Sequence, residues 1–469
     1  MTVFRCYFAA LILWFATQAI EAYAWRLEAG DVTTINTAST AVFTNVTFQN
    51  TFDVVPVVVV LPTDQGSDSA SLRIRNVTTS GFEVVPVEAT GNDGPHTNMT
   101  IHYVAIEPGN HTLPDGVKIA AGTHPTTTVQ SKFIPSGWDL VSFGSTLDST
   151  ASVVATIQTL KSEVGFTPSG PSSPFLTVAT RNASASSIEV ALERSEDTSG
   201  TVAEEDIGWI AFPSGSNGTF IDTLDGMIGW DARITSDTVV GWGNGCTTHT
   251  FSSTSWTNAR VFGTKNRRDG VDGGWVRRCS LSGTEIGLVI DEDIANDTER
   301  NHTNESVALL ALSDSFHANF EGKLDANKTV SVTSGGYALP GSIVAYTIET
   351  QSSGALPVDD DAVVLIDNLP PEVALRLVDI DGPGSGPVLF DDGSPVSGLT
   401  YTYLGLTNTS DDLEFSDNGG ASFDYDPIDD GSGSDPDVTH IRINPKGSFL
   451  ERSTAGNPKF EIVFEAVIK

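Results

Sequence analysis

A short apolar segment centred on one alanine occurs three times in this chain of 469 residues. The copies read Tyr103-Val104-Ala105-Ile106, Trp209-Ile210-Ala211-Phe212 and Leu309-Leu310-Ala311-Leu312. A turn-forming segment follows each copy, as expected for a core strand that enters a bend. The alanines stand at 105, 211 and 311, so they are 106 and 100 residues apart. This spacing predicts three copies of one domain of about 100 residues, a common domain size.

A second marker precedes each copy and supports the repeat. It reads Arg75-Asn76-Val77-Thr78, then Arg181-Asn182-Ala183-Ser184, then Arg278-Cys279-Ser280-Leu281. In residues 25–110, strand-like runs alternate with turns, and no helical period appears. Regular short strands separated by turns are typical of antiparallel sandwiches. The predicted fold class is therefore all-β, with tandem antiparallel β-sandwich domains.

The N-terminus predicts export. Arg5 is followed by an apolar run over residues 6–20 and by Ala22-Tyr23-Ala24, the pattern of a cleaved signal peptide over residues 1–24. A membrane anchor is the alternative, but the run is shorter than the roughly 20 apolar residues of a spanning helix. The predicted location is secreted, extracellular or at the cell surface, with no membrane span after cleavage. In that compartment Cys246 and Cys279 are expected to form a disulfide.

The charge of the chain limits its partners. The formal net charge is -35, which argues against nucleic acid and fits cations, high salt or simple solubility. Eleven Asn-x-Ser/Thr sequons occur, and they would carry glycans only in a eukaryotic secretory route. The source and any glycosylation stay open.

Three motifs of the first repeat resemble the H-type lectin domain. They are Val46-Thr47-Phe48 with Val57-Val58-Val59, then Arg75 to Phe82, then Tyr103 to Ile106. The resemblance implies a six-stranded antiparallel sandwich, often trimeric, that binds N-acetylgalactosamine-type sugars. In that family an acidic residue, a strand arginine and a Trp-His pair form the sugar site. Glu28 or Asp31 would supply the acidic residue and Arg75 the arginine. Glu88-Ala89 stand at the position of the Trp-His pair, so the aromatic platform is missing there. The oligomeric state stays open; a trimer fits the resemblance, and three fused copies could replace it.

The third repeat combines aromatic and basic residues. Trp230, Trp242, Trp256 and Trp275 lie in it or at its start, together with a basic cluster of Arg260, Lys265, Arg267, Arg268, Arg277 and Arg278. Exposed aromatic rings beside arginines would suit a sugar ring or an anionic glycan. The alternative is that the tryptophans are core residues and the arginines neutralise acidic neighbours. The predicted ligand-binding residues are Trp275, Arg267, Arg268, Arg277, Trp256, Arg75 and Asp31.

The C-terminal part has a different character. Pro340 to Ile348, followed by Asp367-Asn368-Leu369-Pro370, is similar to the Ig-like conserved repeat domain of bacterial cell-surface proteins. Residues 330–469 hold 23 acidic and 6 basic side chains. Acidic turns could bind calcium, and the candidate ligands are Asp379, Asp381, Asp417, Asp429 and Asp430. Solvated turns without an ion are the alternative, and no other cofactor is predicted.

No catalytic motif stands out in the sequence. A phosphate loop, a His-Glu-x-x-His zinc motif and a nucleophile elbow are all missing. The predicted domains are 25–130, 131–222, 223–321 and 322–469. The predicted function is non-enzymatic adhesion or binding, through several linked sandwich domains, to extracellular glycans or surface proteins. A structural filament subunit and a secreted hydrolase are the alternatives.

Overall fold

The computed structural model of the protein describes residues 24–37, 39–163, 173–251 and 256–469. The predicted signal peptide lies outside these residues except for Ala24. The predicted all-β class is confirmed: every regular element described is a strand, apart from a single 3-10 turn at Trp242–Asn244. No helix in the described part is long and apolar enough to cross a membrane. The chain divides into two compact units, Trp25–Asn319 and Phe320–Lys469.

The first repeat of the N-terminal unit contains six strands. They are β1 (Trp25–Thr33), β2 (Thr44–Thr47), β3 (Val57–Leu61), β4 (Ala70–Thr78), β5 (Gly81–Glu88) and β6 (Thr100–Ile106).

The described residues of the second repeat form eight strands. They are β7 (Gly109–Thr112), β8 (Lys118–Thr126), β9 (Val129–Gln130), β10 (Asp139–Ser142), β11 (Ala151–Ile157), β12 (Thr177–Arg181), β13 (Ser187–Glu193) and β14 (Glu205–Pro213).

The third repeat forms seven strands outside residues 252–255, and one more strand follows it. They are β15 (Ser216–Ile221), β16 (Met227–Ile234), β17 (Thr247–Thr250), β18 (Arg260–Lys265), β19 (Trp275–Leu281), β20 (Glu285–Asp291), β21 (Val307–Leu312) and then β22 (Phe316–Phe320).

Each repeat has the same two sheets. The three-stranded sheets have the orders β2-β5-β4, β10-β13-β12 and β17-β20-β19, with β9 added to β13 in the second repeat. The four-stranded sheets have the orders β22-β1-β6-β3, β7-β8-β14-β11 and β15-β16-β21-β18. The alanine-centred segments lie in β6, β14 and β21, next to the outer strand of each four-stranded sheet.

The position of β22 closes the N-terminal unit. In the second and third repeats, the first strand of the four-stranded sheet, β7 or β15, precedes its neighbour along the chain. In the first repeat this place is taken by β22, which comes after the third repeat. The two ends of the three-repeat segment therefore meet in one sheet.

The repeats contact one another cyclically through the edge strands β3, β11 and β18. Thr156 Oγ1 accepts the Val60 N–H at 3.1 Å, and Thr264 Oγ1 accepts the Ala155 N–H at 2.8 Å. Val60 and Ala155 hold equivalent places, because they pair with Tyr103 and Trp209. His102 Nδ1 accepts the Val261 N–H at 2.9 Å. Since an open sheet edge invites pairing with other chains, these side chains protect the edges.

Each repeat has its own apolar core, and a further cluster joins all three. In that cluster Trp275 of the third repeat packs against Phe175 of the second, with ring centroids 4.7 Å apart. Val85, Val87 and Ala89 of the first repeat complete the contact. Interdigitated burial of this kind favours one fixed arrangement of the repeats.

The C-terminal unit contains nine strands. They are β23 (Leu324–Ser334), β24 (Ile343–Ser352), β25 (Leu365–Asn368), β26 (Val373–Arg376), β27 (Val388–Asp392), β28 (Leu413–Ser416), β29 (Ser434–Asp435), β30 (His440–Ile443) and β31 (Lys459–Ile468). One sheet has the order β23-β24-β31-β26-β29 with β27 also on β31, and the other has the order β25-β30-β28. Side chains from both sheets fill a single core.

Candidate functional site

Trp275 and Arg277, two of the predicted ligand-binding residues, are buried. Trp275 is 4% exposed, and its indole N–H donates to the Ala70 carbonyl oxygen at 2.9 Å. Arg277 is 0% exposed, pairs with Asp291 and donates to the Thr63 carbonyl at 2.8 Å. The expectation that they form an exposed platform is corrected here, because both join the third repeat to the first.

The other predicted ligand-binding residues of the third repeat each contact a different partner and do not form one site. Arg268 pairs with Glu193 of the second repeat, and Arg267 is exposed and pairs with Asp269. Trp256 is half-buried and stacks on Phe251. No exposed groove combining these side chains is found in the described residues.

Arg75 belongs to a recurring device on the three-stranded sheets. Its guanidinium stacks on Phe43 at 3.6 Å from the ring centroid and donates to Glu83 at 2.5 Å. In the second repeat Arg181 stacks on Trp138 at 4.4 Å and donates to Glu189 at 2.5 Å. Each aromatic residue immediately precedes the first strand of its sheet, so the pairs are equivalent.

In the third repeat the Cys246–Cys279 disulfide occupies this place. Cys246 immediately precedes β17, as Phe43 immediately precedes β2. Arg278 pairs with Leu288 as Ile74 pairs with Val84, so Cys279, the residue after Arg278, corresponds to Arg75. Gly287 stands where the other repeats have glutamate, and a Cβ there would lie 2.4 Å from Cys246 Sγ. The predicted disulfide is confirmed, and the comparison indicates that Arg75 clamps two strands across a third.

Asp31 lies in a contact between the third and first repeats that we call the 3/1 cleft, defined by Asp31, Thr100, His102, Arg260 and Arg278. Arg260 Nη2 donates to Asp31 Oδ1 at 2.6 Å. Arg278 Nη2 donates to the Thr100 carbonyl at 2.8 Å, and its Nη1 lies 2.7 Å from His102 Nε2. Asp31 is largely exposed, whereas His102 is 5% exposed. The basic cluster of the third repeat includes Arg260 and Arg278, but no sequence motif pointed to His102 or to a contact of these arginines with Asp31, because only the cyclic arrangement of the repeats brings them together.

The 3/1 cleft has unusual electrostatics. Burial, with Arg278 and Arg260 nearby, lowers the pKa of His102 to about 2, so the ring is neutral. Burial and the charge of Arg260 lower the pKa of Arg278 to about 10. Asp64 faces the same region, and burial raises the pKa of its carboxyl group. Among the described residues, no carboxylate lies within ion-pair distance of Arg278.

The acidic turns of the C-terminal unit use their carboxylates locally. Asp379 accepts the N–H groups of Gly384 at 2.7 Å and Gly386 at 2.9 Å, which lowers its pKa. Asp429 accepts two glycine amides, and Asp430 accepts from Ser432. Asp381 and Asp417 are exposed. In the described residues, these five side chains do not gather in threes around one point; Asp68, Glu88 and Asp93 of the first repeat do. Calcium binding stays a prediction.

The comparisons with known proteins locate one family. A model of the H-type lectin domain matches residues 43–106, which contain β2 to β6. The match indicates carbohydrate binding in general and, with the all-β fold, favours a binding protein over an enzyme. It does not extend to the other repeats or to the Ig-like prediction for the C-terminal unit, which stay predictions. No curated protein and no solved structure matches the chain significantly.

Proposed function

We propose that this protein is an exported, non-enzymatic carbohydrate-binding protein that attaches to glycans outside the cell or on cell surfaces. The observation that carries the proposal is the lectin-domain match to β2 to β6 of the first repeat. The two sheets of that repeat recur in the second and third repeats. Fold alone does not imply function, so the family match supplies the functional argument.

The cyclic arrangement of the three repeats, which we call the ring, supports multivalent attachment. Three repeats joined in one chain hold their outer surfaces at fixed distances, so a second contact with a glycan-bearing surface is intramolecular. Several weak contacts can then combine into strong attachment without a high affinity at any single site. A fused ring of this kind would need no association of separate chains.

Three features support an extracellular location. They are the apolar N-terminal segment with its small-residue cleavage pattern, the Cys246–Cys279 disulfide, and the strongly acidic composition with eleven sequons. Disulfides persist in oxidising compartments. The acidic C-terminal unit would keep the protein soluble.

A glycan array probed with the intact protein tests the proposal. We expect saturable binding to at least one saccharide class, competed by the same saccharide in free form. Arg267→Gln serves as a surface control and should bind as the wild type does, because Arg267 is exposed and its ion-pair partner among the described residues is Asp269, two residues away. Absence of binding to every saccharide class, with self-assembly of the purified protein, would favour a structural subunit instead.

A further inference from the structure

The 3/1 cleft contains more hydrogen-bond donors and positive charge than its own acceptors satisfy. Arg260 and Arg278 each carry five N–H donors. Their acceptors are the Asp31 carboxylate and the carbonyl oxygens of Asn258 and Thr100. Of these two guanidinium groups, that of Arg260 has a carboxylate at ion-pair distance, whereas that of Arg278 has none among the described residues.

The neutral His102 ring makes the shortage of acceptors more acute. His102 Nδ1 accepts the Val261 N–H at 2.9 Å, so the ring proton lies on Nε2. Arg278 Nη1 stands 2.9 Å from Nδ1, which already accepts from Val261, and 2.7 Å from Nε2, where it faces a second donor. An oxyanion placed beside Nη1 and Nε2 would accept from both and would neutralise Arg278. Charge-assisted bonds to guanidinium are about twice as strong as neutral ones.

The charged set is particular to one of three equivalent contacts. Asp31 and His102 face each other across β1 and β6, and the corresponding pairs are Thr123 with Gly208 and Ile234 with Ala308. Arg260 pairs with Leu312, the last residue of its alanine-centred segment. Val57 and Ser152 pair with the equivalent residues Ile106 and Phe212, so they correspond to Arg260. Arg278 likewise corresponds to Ile74 and Thr180. Since the corresponding positions of the other two contacts hold uncharged residues, joining the repeats does not require these charges.

We propose that the 3/1 cleft binds the oxyanion of an acidic saccharide, a carboxylate or a sulfate ester, with Arg278 and Arg260 as its ligands. This inference rests on the proposed carbohydrate-binding function and names the saccharide class. The net charge of -35 opposes anions at long range. That repulsion is screened beyond about 8 Å at physiological salt, so a local arginine pair governs binding at contact distance.

Asp31 determines which group of the saccharide contacts which side chain of the cleft. Its carboxylate already neutralises Arg260 and is exposed to solvent. An incoming oxyanion therefore meets Arg278 first, while Asp31 can accept hydrogen bonds from saccharide hydroxyl groups. Replacing Asp31 by asparagine would remove a repelling charge and strengthen binding of the anion.

Titration calorimetry of the intact protein with matched sugars tests the inference. The probes are galactose, galactose 6-sulfate, glucose and glucuronic acid, so that each acidic sugar has a neutral counterpart and the two oxyanions are separated. We expect tighter binding of at least one acidic member than of its counterpart. Arg278→Gln should reduce that affinity at least tenfold and so bring it close to the affinity for the neutral counterpart. Arg278→Lys should retain part of it, and Asp31→Asn should increase it.

Several outcomes would overturn the inference. They are equal affinity for acidic and neutral members, or an unchanged acidic affinity in Arg278→Gln with wild-type thermal stability. Arg267→Gln is the charge-matched control and should bind as the wild type does. If Arg278→Gln unfolds, Arg260→Gln tests the second arginine of the cleft, and an unchanged acidic affinity in that variant would overturn the inference. Binding of neutral saccharides without acidic preference would remove this inference and leave the proposed function standing, whereas no saccharide binding at all would remove both.

Discussion

At the residue scale, burial decides which conspicuous side chains can bind a ligand. The tryptophans and arginines of the third repeat are dense in sequence, yet Trp275 and Arg277 are buried between repeats. Composition could not show this, because the burying surfaces come from Ala70 and Thr63, some 200 residues earlier. The alternative interpretation of Trp275 as a core residue agrees with the structure.

Replacing Trp275 by alanine should destabilise the N-terminal unit by about 3–5 kcal/mol, as expected for removal of a buried large side chain. The loss has two causes, a cavity against Phe175 and an unpaired Ala70 carbonyl. Urea denaturation followed by tryptophan fluorescence measures it. Trp138→Ala is the control, because Trp138 is only half-buried and should cost much less. Equal effects of both changes would contradict the role of Trp275 in joining the repeats.

His102 predicts a specific pH dependence. Its pKa is about 2 in the folded chain and about 6.5 when unfolded. Between these values the unfolded chain binds more protons, so this residue lowers stability as pH falls below about 6.5. The limiting slope is about 1.4 kcal/mol per pH unit. We expect the free energy of unfolding of His102→Gln to decline less between pH 6.5 and 4.5 than that of the wild type. Parallel declines would show that His102 titrates normally.

At the element scale, equivalent positions of the three repeats link the strands of the three-stranded sheet by different interactions. The clamp across the three-stranded sheet is an aromatic–arginine pair in two repeats and a disulfide in the third. The sequence predicted the disulfide from compartment and cysteine count. It did not predict the equivalence with Phe43 and Arg75, because that depends on strand register.

The equivalence can be tested by moving the disulfide. The triple change Phe43→Cys, Arg75→Cys and Glu83→Gly should produce a second disulfide in the first repeat under oxidising refolding. Glu83→Gly is required because the glycine at 287 leaves room for sulfur in the third repeat. Mass spectrometry with and without reduction detects the bond. Two persistently free thiols in a folded triple variant would refute the equivalence.

The closing strand β22 predicts long-range coupling within the N-terminal unit. Phe316 of β22 is 2% exposed and packs edge-on against Phe220 of β15, with ring centroids 5.0 Å apart. Phe316→Ala should cost about 3–5 kcal/mol. It should also raise hydrogen exchange in β1, which pairs with β22 although nearly 300 residues separate them in sequence. Faster exchange confined to β15 and β22 would contradict closure of the ring.

At the scale of the whole molecule, the repeat and the all-β class could be predicted because both follow from short-range sequence patterns. Alternating strands, turn residues and the recurrence of Ala105, Ala211 and Ala311 are visible without coordinates. The cyclic contacts and the transfer of β22 to the first repeat could not be predicted. They depend on edge strands meeting across repeats, for which single residues such as Thr156 and Thr264 give little local signal.

The candidate site shows the same division. Asp31 was predicted as a candidate ligand residue from the lectin resemblance, and it lies at the 3/1 cleft. Its neighbours Arg260, Arg278 and His102 come from two repeats that are remote in sequence. The structure therefore supplies the constellation, and the resemblance supplies the kind of ligand to test.

Native mass spectrometry of the intact protein with a panel of neutral and acidic saccharides tests the central claim most directly, because it reports chain number and bound ligand in one spectrum. We expect a single chain that carries saccharide, with adducts that grow with saccharide concentration and are removed by competition. A single chain without adducts throughout the panel, or adducts found only on an assembly of several chains, would contradict the account of a self-contained carbohydrate-binding ring.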